Sequence, residues 1–222
     1  MTSTGNDIVA LKAINVARTK EFKFYSKIIA AIEKDIFDKQ DHGDLAFETF
    51  VWLLWSIKES AYKYLQRRMP ELVFSPTKTL VQRIQFSASS LVQEFEGTGF
   101  EGKPVYKGTV SFGSDLLFFR SMISGEFIFS VVNGEDDFEN TSWGIRLIDS
   151  ADPADQSKQV RAFLIARLNK QLPGTNLQIS KSPDGVPILL NGVEEIDIPI
   201  SLAHHDHYVA YSFKVYGEGK PY

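Results

Sequence analysis

Hydrophobic positions fall into two regimes along the chain. Residues 5–11 form a short apolar run around Asp7 and predict a strand. Over residues 14–40 the apolar positions Ile14, Ala17, Phe22, Tyr25, Ile28, Ile29, Ile32, Ile36 and Phe37 recur at helical spacing, which predicts one or two helices. A second helix is predicted from Leu45 to Arg68. Met69-Pro70 ends it, because proline disfavours helical geometry in the preceding residue. The pattern then changes to β-branched and aromatic runs at 79–86, 105–112, 116–122, 127–132 and 142–148, separated by Gly, Asn, Asp and Ser. A helix follows at 154–171, between Asp152-Pro153 and Pro173-Gly174. Residues 177–180 and 186–190 flank Pro183-Asp184-Gly185 as a hairpin. Period-two alternation over 196–202 and 209–215 predicts two more strands. The fold class is α+β, without internal repeat or low-complexity segment.

Composition narrows the choices. The 222 residues are 43% hydrophobic and 13% aromatic, enough for a substantial core. The net charge of -4 gives no reason to expect nonspecific nucleic-acid binding. There are no cysteines, which excludes disulfides, thiolate metal sites and a cysteine nucleophile. The first residues do not read as a secretory leader and the run Phe50–Trp55 is too short to span a bilayer, so the expected location is cytoplasmic.

Two segments carry candidate chemistry. Asp7 sits within an apolar strand, where a carboxylate is costly unless it is paired or holds a cation; in isolation it also reads as a turn residue. Glu59 and Lys63 are four residues apart and share a helix face, with Lys58 about 100° round from Glu59. In isolation that pair reads as a solvated ion pair. The run His204-His205-Asp206-His207 has three readings: a phosphate-side histidine, a metal site with His205 and His207 on one strand face, or an exposed polar turn.

Taken together, Gly5-Asn6-Asp7-Ile8-Val9 and Trp55-Ser56-Ile57-Lys58-Glu59-Ser60-Ala61-Tyr62-Lys63 resemble the 4'-phosphopantetheinyl transferase superfamily. The family pattern is Gly-x-Asp-Ile/Val on a strand, then Trp/Phe-x-x-Lys-Glu-Ala/Ser-x-x-Lys on a helix. Gly185-Val186-Pro187 and Ser201-Leu202-Ala203-His204 follow in the order of holo-acyl-carrier-protein synthase, with Ala203 where that family has a second serine. A second Gly-x-Pro, Gly102-Lys103-Pro104, lacks the strand-and-histidine context downstream and is set aside.

The resemblance implies transfer of 4'-phosphopantetheine from coenzyme A to a serine of an apo acyl or peptidyl carrier protein, releasing 3',5'-ADP, with fatty acid biosynthesis as the default setting. It implies Mg²⁺ on Asp7 and Glu59, with Val9 where some relatives carry a third acid. Glu59 and Lys63 are the implied catalytic residues, with either Lys63 or a water activated by Glu59 as base and with Lys63 expected to have a lowered pKa beside Lys58. Lys58, Lys63, Gly185, Pro187, Ser201 and His204 are the implied coenzyme contacts. Lys12, Arg18, Lys20 and Lys23 are the implied contacts to an acidic carrier, with Arg67, Arg68, Lys78 and Arg83 as a second basic group.

The expected organisation is a single transferase domain over 1–222 with 75–174 as an insertion or a second pseudo-symmetric half; a homotrimer is the leading expectation and a pseudo-dimeric monomer the alternative. Two other functions stay open: a noncatalytic carrier- or nucleotide-binding module of the same fold, and a hydrolase with a metal on the histidine run.

Overall fold

The computed structural model describes residues 3–86 and 94–214. Its strands and helices, in chain order, are β1 (Gly5–Ala10), α1 (Val16–Thr19), α2 (Phe22–Tyr25), α3 (Ala31–Lys39), α4 (Phe47–Gln66), β2 (Thr79–Gln85), β3 (Glu96–Thr98), β4 (Tyr106–Phe112), β5 (Asp115–Ile123), β6 (Phe127–Asn133), β7 (Thr141–Leu147), α5 (Pro153–Gln171), β8 (Leu177–Lys181), β9 (Pro187–Asn191), β10 (Glu194–Ile196), β11 (Ile200–His205) and β12 (Tyr208–Lys214). This is the expected mixture of helices and small antiparallel sheets. No helix among the described residues is long and apolar enough to cross a membrane.

The elements form two halves of like topology. In the first, the sheet order is β1-β6-β5-β4-β2, and α4 packs across β1 and β6. In the second, β11-β12-β7 continues to β3, while β8 and β9 form a separate sheet with β10; α5 packs on β12, β11 and β8. Each half therefore runs strand, long helix, two paired strands, then a hairpin whose last strand pairs with the first. Residues 75–174, expected as an insertion or a second half, contribute strands to both sheets. The strands from 79 to 133, β3 apart, complete the first sheet, whereas those from 141 onward belong to the second half. The short strand β3, Glu-Gly-Thr, has no apolar alternation to announce it. It pairs with β7 where Gly97 lets the Trp143 ring come close: a Cβ there would lie 2.8 Å from that ring.

α4 supplies the first core. Phe50, Leu53, Leu54, Ile57, Ala61, Tyr64 and Leu65 recur at 3–4-residue spacing and are buried. Before it, the expected long helical stretch is broken into α1, α2 and α3. Asn15 caps α1, its Oδ1 accepting from Arg18 N at 2.9 Å. Beyond α2, the Ile28 carbonyl accepts from Lys58 Nζ at 2.6 Å. The alternating run at 196–202 is likewise broken. Pro199, which has no N–H, lies between β10 and β11.

β1 lies between the halves. It is the edge strand of the first sheet, and its far side packs against β11 and β12. Its residues alternate in destination: Val9 joins the α4 core, while Ile8 and Ala10 join a core with Phe129, Trp143, Ala203 and Ala210. Asp7, two residues before Val9, consequently shares the face that meets α4.

Candidate active site

The approach of β1 to α4 is set by Gly5 and Ser60. A Cβ on Gly5 would stand 2.0 Å from Ser60 O and 2.7 Å from Tyr64 N, so only glycine admits this packing. The Ser60 hydroxyl lies within hydrogen-bond distance of Ser56 O (2.8 Å) and Ser130 O (3.1 Å), tying α4 to β6. Ser3 adds a bond to Tyr64 O. These small residues bring the strand acid to the helix pair.

There Asp7, Glu59 and Lys63 meet. Lys63 Nζ lies 3.3 Å from Asp7 Oδ1 and 3.3 Å from Glu59 Oε1, and it donates to Asn6 O at 3.1 Å. Both carboxylates therefore reach one point, at present taken by an ammonium. Asp7 is almost fully buried, and its Oδ2 is buried without a hydrogen-bond partner. Burial raises the Asp7 carboxyl to about 7, Lys63 pulling it down and Glu59 pushing it up. For Lys63, burial works against the charged form, yet Asp7 and Glu59 together hold it above the ordinary lysine range. In the metal-free site this is opposite to the lowering expected beside Lys58 and a metal, because Asp7 and Glu59 together outweigh burial. A buried, unsatisfied carboxylate oxygen next to a second carboxylate suits a hard cation. Asp7 and Glu59 are the two side chains that could hold one; no cluster of three acid, imidazole or thiol groups occurs among the described residues.

Lys58 stands on another face of α4 and does not join the site. It is sealed from solvent and paired with Glu33 at 2.6 Å. Glu33 is itself saturated: Oε2 also accepts from Ala30 N, and Oε1 accepts from Val81 N, each at 2.7 Å. Lys58 is thus a structural tie between α4, α3 and β2 and does not line the cavity where a phosphate contact was expected. Trp55 likewise packs, edge-on to Phe74 at 5.2 Å.

A cavity of about 230 Å³ opens beside Lys63. Gly185, Pro187, Ser201 and His204, all expected from the sequence, line it together with Arg67, Arg161 and Lys181. Its charged walls are thus entirely basic. Burial lowers the His204 pKa, and Lys63 adds to the effect. Arg161 donates to Ile179 O at 2.7 Å. Arg161 had no local signal, since it is brought in by the packing of α5; Lys181 could have been found from its place just before the Gly-x-Pro loop.

Within β11, alternation divides the expected residues. Ser201, Ala203 and His205 face β1: Ser201 Oγ accepts from Asn6 N and His205 Nδ1 from Ala10 N, each at 2.9 Å. Ala203, where the family has serine, is buried in the shared apolar core. The hydroxyl of Ser201 thus serves the junction between halves while also bordering the cavity. His205 and His207 do not share one strand face, because β11 ends at His205 and His207 lies in the following turn. The His205 and His207 rings engage backbone atoms, His207 Nδ1 lying 3.1 Å from Ile148 O. Asp206, with φ of 52°, makes the tight turn between β11 and β12 with His207. The other Gly-x-Pro, Gly102-Lys103-Pro104, borders a larger open basin of about 1030 Å³ that none of the expected site residues lines.

The expected carrier contacts lie around α1 and α2 and are exposed. Lys12 pairs with Glu126 at 3.0 Å, Lys20 pairs with Glu48 at 3.3 Å, and Arg18 lies over the Phe24 ring at 5.1 Å. Phe22 is 70% exposed and Val16 43%.

Fold and site together define a protein of two like halves with a carboxylate pair and a cluster of cations at their junction, groups that suit a phosphate-bearing ligand and a divalent metal. Residues 3–104 match the model of the 4'-phosphopantetheinyl transferase superfamily. The matched stretch contains Asp7, Glu59 and Lys63 and ends before Gly185-Val186-Pro187 and His204. No curated protein and no solved structure matches the chain.

Proposed function

We propose that the chain transfers the 4'-phosphopantetheine arm of coenzyme A to a serine of an apo acyl or peptidyl carrier protein. The observation that carries this is the convergence of Asp7 and Glu59 on Lys63 at the edge of a cavity with cationic walls. In the reaction the carrier serine oxygen bonds to the phosphorus nearer pantetheine in the coenzyme pyrophosphate. The bond from that phosphorus to the bridging oxygen breaks, and 3',5'-ADP leaves with the electron pair.

Asp7 and Glu59 would hold Mg²⁺, which when bound supplies neutralising charge to the pyrophosphate. Lys63 contacts phosphate oxygens as a cation beside the two carboxylates. The serine proton then passes to Glu59, directly or through a water. His204, Lys181 and Arg161 face the nucleotide end of the coenzyme in the cavity, with Gly185 and Pro187 forming its loop wall. An acidic carrier docks over α1 and α2, where Lys12 and Lys20 exchange exposed ion pairs of small worth for carrier carboxylates and Arg18 and Lys23 add charge. That the second half supplies cavity walls favours a pseudo-dimeric monomer over the trimer.

The test is to incubate the protein with apo carrier proteins, coenzyme A and Mg²⁺ and to weigh the carrier by mass spectrometry. A gain of one phosphopantetheine is expected; no gain on fatty-acid, polyketide or peptide-synthesis carriers would sink the proposal.

A further inference from the structure

The two halves differ at one place that bears on the cavity. In the first half, β4 pairs directly with β5, from Phe112 opposite Asp115 to Tyr106 opposite Ser121, and the sheet is continuous. The topological counterparts in the second half are β9 and β11, and they do not pair. β9 lies in the sheet with β8 and β10, and β11 pairs with β12. The second sheet is therefore split, and Pro187, the first residue of β9, brings no N–H with which to close it.

The cavity lies in this split. Gly185, Val186 and Pro187 form one lip, and Ile200, Leu202 and His204 lie on the other. Buried backbone carbonyls facing a gap need donors. One side chain supplies them: Arg67, at the C-terminal end of α4 in the other half, donates from Nη2 to Pro187 O at 2.7 Å and to Ile200 O. Its two acceptors stand on opposite lips. Arg67 also lies one helical turn beyond Lys63, so the group that bridges the split and the group that meets the carboxylates share one rigid helix.

We propose that Arg67 is a positioning residue that fixes the separation of β9 and β11, and so sets the width of the cavity for the nucleotide end of coenzyme A. This rests on the transferase reading of the same cavity. The guanidinium suits the task because its planar donors are preorganised and stay charged. Its bonds are made to protein carbonyls, so its effect on the coenzyme is through the lips it holds.

The experiment compares the full-length wild type with Arg67→Met and Arg67→Lys. Transfer is measured with coenzyme A varied at saturating carrier, coenzyme A binding by calorimetry, and folding by thermal denaturation. Arg67→Met, which keeps the apolar stem, is expected to raise KM and Kd for coenzyme A about tenfold, the scale of lost bonds from a charged donor, with a smaller change in kcat. Arg67→Lys keeps the charge but not the two-pronged reach, and should recover part of the affinity. If Arg67→Met does not fold, Arg67→Lys alone carries the test through its intermediate KM. Unchanged KM and Kd in the folded variants, with only a lowered Tm, would make Arg67 purely structural and overturn the proposal. A wild type that neither binds coenzyme A nor modifies a carrier would instead remove the reading on which it rests.

Discussion

Two lysines five residues apart on one helix end in opposite circumstances. Lys63 meets two carboxylates at a cavity edge, while Lys58 is buried against Glu33. Lys58→Met should leave the Glu33 carboxylate buried without its cation, a loss of about 3–5 kcal/mol by urea denaturation. Transfer per folded molecule should be little changed, whereas Lys63→Met should abolish transfer and leave the fold nearly intact. Asp7 titrates in the opposite sense to a salt-bridged acid. Its ordinary value is near 3.8 and the folded value is about 7, so between these values the folded state holds the proton that the unfolded state has released. In metal-free protein this group's contribution to stability is therefore greatest below about pH 4 and declines as pH rises to about 7. Asp7→Asn should flatten that decline in denaturation curves collected across the window. The sequence showed Asp7, Glu59 and Lys63 because each is a chemical type at a fixed spacing from small or apolar neighbours. It could not show that Lys58 turns away, since its partner lies 25 residues earlier and is brought in by the turn before α3.

At the scale of elements, the site depends on how closely β1 lies on α4. Gly5→Ala places a methyl against the Ser60 carbonyl and must push the strand off the helix. The expected cost is about 1–3 kcal/mol by thermal denaturation, with loss of transfer beyond what the unfolded fraction explains, because Asp7 moves with β1. α4, α5 and most strands were legible because their apolar periodicity matches the burial they reach. Two features were not legible: the division of the helical stretch into α1, α2 and α3, which caps and the Lys58 contact impose, and β3, which is held by one glycine against Trp143. His204 and His205 show the same limit within one strand. Alternation sends the first toward the cavity and the second to the β1 backbone, which decides their roles although the residues are identical.

At the scale of the molecule, the Asp7–Glu59–Lys63 group belongs to one half and the Gly185–His204 walls to the other. The second half has no acidic residue on β7, the counterpart of β1, so the duplication of topology yields one carboxylate site. The sequence offered no repeat because the halves share element order and packing direction, which many apolar patterns satisfy, and few side chains. Sedimentation of active protein should show a species of single-chain mass; activity confined to a trimer would contradict the pseudo-dimeric reading.

In the proposed reaction Asp7 and Glu59 act together on the coenzyme pyrophosphate. Single-turnover transfer to an apo carrier, followed by intact-mass spectrometry with Mg²⁺ varied, tests it most directly in the wild type, Asp7→Asn and Glu59→Gln. The expected result is Mg²⁺-dependent gain of phosphopantetheine by the wild type and a loss of about a hundredfold or more in each folded variant. Wild-type transfer that survives either substitution at full rate and without Mg²⁺ dependence would contradict it.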